Sequence, residues 1–369
     1  ITDFRYLLGS DKKEFIGKFL YFGNGEEDSI TDSGNLTWYD ARAKHPKRTE
    51  YRLYYSSNSV INSARPGDLV VIGLLGKNKL AIIIADSHST FEQQLLWLFG
   101  LSEVGSRFII KDYTKKDIEL GFAGKYIVES LGFEITETKP DYLEELKSIF
   151  GNCFPSTNRF SEYARSTVIN VSPQEDPDQT LISWLEREEM LFRTLERFIV
   201  SEKLKDGFGE SGYDIDDFIT FSLSVQNRRK SRAGFAFENH LSQIFDLNNI
   251  TYSKGPKTER NNKPDFLFPH IDYYFDDTIP GDCLNMLGVK TSAKERWRQV
   301  LSEADRIEKK HLITLEPAIS KNQTDEMKSQ NLQLVIPAPL INTYTEDQQK
   351  ILLTLSDFIE IVKDKQKRI

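Results

Sequence analysis

Lys263-Pro264-Asp265-Phe266-Leu267-Phe268 is followed, 25 residues beyond its aspartate, by Val289-Lys290-Thr291 at the end of an apolar run that reads as a strand. This is a PD…K arrangement. Cutting a phosphodiester calls for a divalent ion to neutralise the phosphate and activate water, and a hard cation such as Mg²⁺ takes carboxylate oxygens as ligands. Asp265 is such a ligand. A lysine beside the metal lowers the pKa of the attacking water or stabilises the developing charge, which is the role given to Lys290. Pro-Asp and a strand lysine carry little weight alone, so the neighbouring carboxylates matter.

The position two residues before the lysine, where a second acid is ordinarily found, is Gly288. Another residue must supply that ligand. Glu303 lies 13 residues after Lys290, in a helix expected over Lys294 to Glu308 whose buried stripe is Trp297, Val300, Leu301, Ala304 and Ile307. The plainer reading of Glu303 is a surface glutamate paired with Arg306 or Gln299. A third carboxylate, Glu238, lies in a helix expected from Ser231, with Ala233, Phe237, Leu241, Ile244 and Phe245 facing the core. Its entry, Asn227-Arg228-Arg229-Lys230-Ser231-Arg232, is dense in positive charge and suits phosphates, which helix N-termini also bind.

Around this constellation, Ile182 to Lys203 and Ile215 to Val225 have helical apolar spacing. Tyr273 to Phe275, Leu284 to Thr291, His311 to Leu315 and Leu332 to Ile336 read as strands. Alternation of the two implies a mixed α/β sheet flanked by helices. Upstream, Val171-Ser172-Pro173-Gln174-Glu175-Asp176-Pro177-Asp178 is polar and Pro-punctuated, as exposed linkers are. The expected organisation is a β-rich domain over 1–170, a linker over 171–180 and an α/β domain over 181–369. In the first half, Phe19 to Phe22, Tyr51 to Tyr55, Leu69 to Leu75 and Leu80 to Ala85 are short apolar runs, the last two joined as a hairpin by Gly76-Lys77-Asn78. Helical spacing follows over Ser89 to Leu101 and Asp141 to Phe150.

The chain has 369 residues, 39% of them hydrophobic, enough for two domains with cores. No run of about 18 apolar residues suggests a membrane span, so a cytoplasmic location is expected. Cys153 and Cys283 match neither a disulfide framework nor zinc-ligand spacing. Ile1 and the charged and aromatic residues after it do not resemble a signal peptide. The net charge of −8 is no obstacle to a nucleic-acid partner, because positive charge bunches in Arg42 to Arg52, Arg228 to Arg232 and Lys290 to Arg298. Acids gather in Gly25 to Asp32, Asp141 to Glu145 and Asp214 to Asp217. Solvated faces are the alternative reading of these runs.

Three stretches in one order, Asn227 to Gly234, Lys263 to Pro269, and Val289 to Asp305, resemble the catalytic domain of EcoRII restriction endonucleases, over roughly residues 176 to 355. The resemblance implies a PD-(D/E)xK nuclease fold whose second acid has moved to the following helix. It implies Glu238, Asp265, Lys290 and Glu303 as the active-site set, with the carboxylates holding Mg²⁺ directly or through water. Lys294, Glu295 and Arg296, with Arg298 beyond them, match positions that face the major groove, where Arg grips guanine and Glu accepts from cytosine. Arg228, Arg229, Lys230 and Arg232 are the expected phosphate contacts.

Members of this family read a CC/GG-flanked site, some flipping the central base pair, and Trp184 falls near the segment that would hold a flipped base. In the family the amino-terminal half resembles a DNA-binding pseudobarrel. Here Trp38, Tyr39, Arg42, Lys44, Arg48 and Arg52 interleave aromatic and basic side chains in a way that suits such a surface, as an exposed basic loop and strand would also do. The implied protein is a homodimer acting on double-stranded DNA, with a cognate DNA methyltransferase as genetic partner. The rivals are a repair or modification-dependent endonuclease of the same chemistry and a DNA-binding regulator that never cleaves.

Overall fold

A computed structural model describes residues 2–23, 29–105, 108–110, 120–133 and 142–369, apart from the side chains of Thr2, Asp3 and Glu295. The acids at 26–28 and the expected helix start at 141 lie outside the described residues. The chain divides into two compact units, Ile1–Leu120 with Ala318–Gln323, and Gly121–Pro317 with Thr324–Ile369.

The first unit runs α1 (Thr2–Leu8), β1 (Lys13–Phe22), β2 (Ser29–Asp40), β3 (Tyr51–Tyr55), α2 (Ser59–Ser63), β4 (Leu69–Gly76), β5 (Lys79–Ala85) and α3 (Thr90–Leu98). Its five-stranded sheet has the order β3-β2-β1-β5-β4. β1 pairs antiparallel with β2 and parallel with β5, and β4–β5 is the expected hairpin. Phe15, Phe19, Tyr21, Leu36, Leu80, Ile82 and Ile84 form the core against Leu8 and Val60. Among the described residues β3 and β4 are the edges of this sheet.

The second unit runs α4 (Phe122–Ser130), α5 (Leu143–Phe150), α6 (Thr157–Ser166), α7 (Pro177–Asp206), α8 (Ile215–Leu247), β6 (Ser253–Lys254), β7 (Phe266–Phe268), α9 (Ile271–Phe275), β8 (Asn285–Lys290) and α10 (Trp297–Leu301). It continues with β9 (Lys310–Thr314), α11 (Lys321–Ser329), β10 (Leu332–Val335), α12 (Ala338–Ile341), α13 (Glu346–Gln349) and α14 (Leu355–Gln366), the first residues of α11 being grouped with the first unit. The sheet order is β10-β9-β8-β7-β6, antiparallel from β6 to β8 and parallel from β8 to β10, which is the expected mixed sheet. β7 is buried throughout and β8 up to Lys290, as befits strands covered on both faces. Phe245 of α8 meets Phe268 edge-on at 5.3 Å, and Phe358 of α14 meets the same ring at 5.5 Å.

The structure corrects four expectations. The expected boundary over 171–180 is not a linker between units, because Leu146, Phe150, Phe160 and Ala164 of α5 and α6 share a core with Leu191, Phe192 and Leu195 of α7. Pro177 stands in the first turn of α7, where its missing N–H costs nothing, and the Asp176 side chain caps the helix by accepting from the Gln179 amide. The helices expected over Ile215 to Val225 and from Ser231 are one helix of 33 residues, α8, with no Gly or Pro between them to interrupt it. Residues 227–232 therefore lie mid-helix and offer no free amides.

Third, Tyr273 to Phe275 is helical, its helix capped by His270, which accepts from the Asp272 amide. Fourth, Lys294 to Glu308 is a single 3₁₀ turn over 294–296, then α10, then irregular backbone, broken where Ala304 takes a left-handed φ of 51°.

α7 and α8 are joined by buried charge. Arg232, only 6% exposed, pairs with Glu188 at 3.3 Å and with Glu189, while His240 Nε2 lies 3.0 Å from the other Glu188 oxygen. Glu196, also buried, accepts two hydrogen bonds from Arg229 Nε at 2.9 and 2.8 Å. Removing one partner of such a pair leaves an uncompensated buried charge. Glu188→Ala is expected to destabilise the second unit by about 3–5 kcal/mol in urea unfolding; a loss below about 1 kcal/mol would mean that water solvates the network.

Candidate active site

β7 and β8 run antiparallel with Phe266 opposite Leu287, which sets Asp265 across from Gly288 and beside Lys290. One oxygen of Asp265, Oδ2, accepts from the Val289 amide at 2.6 Å and from Lys290 Nζ at 2.9 Å. The lysine and aspartate side chains are 12% and 20% exposed, so the pair opens to solvent on one side.

Gly288 has a steric reason. A Cβ there would lie 2.8 Å from Val300 Cγ2 and 3.1 Å from Cγ1, so α10 already fills the space an acid would need. The chain continues past α10 and returns Glu303 to the same site. Burial, reinforced by the nearby Asp265 charge and opposed by Lys290 and Lys310, pushes the Glu303 carboxyl up to about 7. Its Oε2 is buried and accepts no hydrogen bond. Glu238 enters from α8, 3.5 Å from Lys254 Nζ. Burial raises its pKa too, opposed first by Lys254, with Asp265 adding to the rise and Lys290 opposing it.

Four elements thus bring Glu238, Asp265, Lys290 and Glu303 within electrostatic reach of one another. Lys254 and Lys310 join them, and neither carries a signal in the sequence. The Glu303 backbone is held from several sides. Asn262 Nδ2 donates to the Ser302 carbonyl at 2.6 Å, the Asp305 amide to Glu259 at 3.3 Å, the Arg306 amide to the Tyr274 hydroxyl at 3.2 Å, and Lys310 Nζ to the Ile307 carbonyl at 2.7 Å.

A divalent cation fits this donor set. An unpartnered, buried carboxylate oxygen whose proton is held to about pH 7 beside a second carboxylate is what a hard cation would satisfy. Among the described residues no three His, Cys, Asp or Glu side chains converge closely enough to cage an ion.

The other expected site residues divide. Lys230 and Arg296 are exposed, and Arg228 is exposed over the Phe154 ring at 4.4 Å. Lys294 follows Lys290 on the next turn, the side chain of Glu295 lies outside the described residues, and Arg298 donates to Glu326 at 2.8 Å. Arg229 and Arg232 are committed to Glu196 and Glu188, so Arg232 is a structural cation and not a phosphate contact. Trp184 is 4% exposed and packs on His240 at 5.6 Å, which makes it core in place of a base platform. Trp38 is likewise core, stacked on Tyr51 at 5.2 Å with its Nε1 donating to the Gly9 carbonyl. Tyr39 is half-buried, Lys44 and Arg48 are exposed, and Arg42 and Arg52 both pair with Glu50.

The second unit has the fold of a restriction endonuclease: it is similar to the structure described as metal-depleted Ecl18kI in complex with uncleaved DNA, with a TM-score of 0.50 at 18% identity over 62% of this chain and 86% of that one. A restriction endonuclease PspGI–substrate DNA complex aligns with a TM-score of 0.46 at 16% identity over 64% of this chain and 99% of that one. Within that class, residues 192–359 match the EcoRII C-terminal family model, a stretch that contains all four residues of the site. A curated relative, the Type II restriction enzyme EcoRII of Escherichia coli, is 40% identical over 207 residues, 56% of this chain and 50% of that protein. The chain spans about half the length of that relative.

Two outcomes follow. Because Glu303 keeps its proton to about pH 7 in the fold against 4.5 ordinarily, protonation favours the folded state, a contribution present below 4.5 and lost as pH rises through about 7. A divalent ion competes with that proton, so calorimetry at pH 6.5 in buffers of differing ionisation enthalpy should register proton release on Mg²⁺ binding, absent in Glu303→Gln. Gly288→Asp in a Glu303→Ala background should not restore ion binding and should lower stability by about 1–3 kcal/mol through overpacking on Val300; restored calorimetric binding would contradict the steric account.

Proposed function

We propose that this protein is a Mg²⁺-dependent Type II endonuclease that hydrolyses both strands of double-stranded DNA at a short CC/GG-flanked site. The observation that carries the reading is the convergence of Asp265, Lys290 and the buried Glu303 at the ends of β7, β8 and α10, in an EcoRII-type domain.

Asp265 and Glu303 would hold the ion, with Glu238 at the margin acting directly or through water. Bound there, Mg²⁺ supplies charge neutralisation at the scissile phosphate and lowers the pKa of water. Lys290, fixed by Asp265 at the strand tip, offers an ammonium to the charge that develops on the phosphate oxygens. Lys294, Glu295 and Arg296, four to six residues past the lysine, would read base edges, with Arg298 beside them and Arg228 and Lys230 of α8 supplying phosphate contacts.

The first unit would bind DNA as a specificity or effector module through its exposed basic loop, 41–49, in which Lys44 and Arg48 are exposed. A homodimer, each subunit cutting one strand, suits a two-fold symmetric site, and a cognate methyltransferase would protect host DNA.

The test is incubation of the protein with unmethylated plasmid and Mg²⁺, alongside Asp265→Ala and Lys290→Ala, with sequencing of the fragment ends. Discrete fragments are expected from the parent protein, with rates at least about 100-fold lower in both variants. Specific binding with no cutting by the parent would make the protein a regulator.

A further inference from the structure

Outside the carboxylate cluster, one buried acid has an unusual set of partners. Glu316, two residues after β9, is 3% exposed, and the nearby Lys294 charge favours its ionised form. Its Oε2 accepts three hydrogen bonds from one short stretch: Ser292 Oγ at 3.1 Å, the Ala293 amide at 2.6 Å and the Lys294 amide at 3.2 Å. Burial pushes this carboxyl up, while the two amides favour its charged form. Those amides open the 3₁₀ turn at 294–296, and the Trp297 amide donates back to the Ala293 carbonyl, so Glu316 caps this helical segment from the stretch that follows β9.

The stretch it grips joins two functions. Lys290 ends one residue before Thr291, and the base-reading residues begin at Lys294. The Thr291 carbonyl is held separately, accepting from Tyr126 at 3.1 Å and from Thr314 Oγ1 at 3.4 Å. Glu316 is anchored in turn, its own carbonyl accepting from the Tyr344 hydroxyl at 2.5 Å.

We propose that Glu316 is the positioning residue that couples base reading to cleavage, by fixing the distance and angle between Lys290 and the Lys294–Arg298 segment through a single carboxylate oxygen. This rests on the endonuclease reading above. Glu316 touches neither phosphate nor ion in this role. A base pair read at Lys294–Arg296 is transmitted to Lys290 through the three residues between them, Thr291 to Ala293, which the clamp makes rigid, and a loosened clamp admits sites that differ by one base pair.

The experiment uses the full chain as Glu316→Gln and Ser292→Ala, with two readouts. Cleavage of the duplex defined by fragment-end sequencing is compared with that of single-mismatch duplexes, and hydrogen exchange is followed over residues 291–301 and, as a control, over β8 and β9. Glu316→Gln is expected to narrow discrimination at least about tenfold, with kcat on the correct site falling more than non-specific affinity, and to speed exchange over 291–301 alone. Ser292→Ala, which removes one donor and leaves the carboxylate, is expected to give a smaller loss of discrimination at parental thermal stability. Unchanged exchange over 291–301 in Glu316→Gln overturns the proposal, as does a uniform loss of protection that includes β8 and β9 and mismatch discrimination intact in Ser292→Ala. Absence of cleavage by the parent protein overturns the endonuclease reading, and the exchange comparison then still decides whether Glu316 holds the segment.

Discussion

One oxygen atom, Asp265 Oδ2, receives both the main-chain amide of Val289 and the ammonium of Lys290, and the site is organised around that double contact. The amide ties the aspartate to the backbone of the neighbouring strand, so the carboxylate cannot swing away without breaking a hydrogen bond at a sheet end. The ammonium takes up the charge that burial would otherwise penalise. With that oxygen fixed, a second acid must approach from the opposite side. Glu303 does so with its Oε2 buried and unpartnered, and burial, reinforced by the Asp265 charge, raises the pKa of that carboxyl.

Charge elsewhere in the second unit serves a different purpose. The basic run at 228–232 alternates around a helix, so its members part company: Arg228 and Lys230 face water, while Arg229 and Arg232 turn towards α7 and meet Glu196 and Glu188. A run of cations in sequence is therefore two populations in space. The inward pair welds the helical layer to itself, on the helix that also carries Glu238, and the outward pair faces solvent.

Much of this was legible from residue order. The β4–β5 hairpin follows from Gly76-Lys77-Asn78 between two β-prone runs, and the mixed sheet from alternating strands and helices. Asp265, Lys290 and the displaced acid were legible as a pattern, and the absence of an acid at 288 pointed beyond the strand. The details that escaped depend on partners distant in the chain. The fate of Arg232 is decided by Glu188, 44 residues away, and no local periodicity announces that pairing. The helix expected to run to Glu308 ends at Leu301, and the left-handed conformation of Ala304 beyond it is one for which alanine gives no warning. Trp38 and Trp184 looked the same as surface aromatics in sequence, and only packing distinguishes them. Lys254, Lys310 and Glu316 lie in unremarkable local contexts and acquire meaning through what the sheet sets beside them.

The packing of Val300 against Gly288 also bears on how such a site changes over generations. An acid placed at position 288 collides with Val300, and trimming Val300 first would hollow the contact that seats α10 on the sheet. Each order of substitution passes through a form that is either crowded or loose, and until Glu303 is dispensable neither form gains anything. A one-step introduction of an acid there is closed off. Positions 288 and 300 are thus coupled, and an acid becomes tolerable at 288 only together with a change at 300.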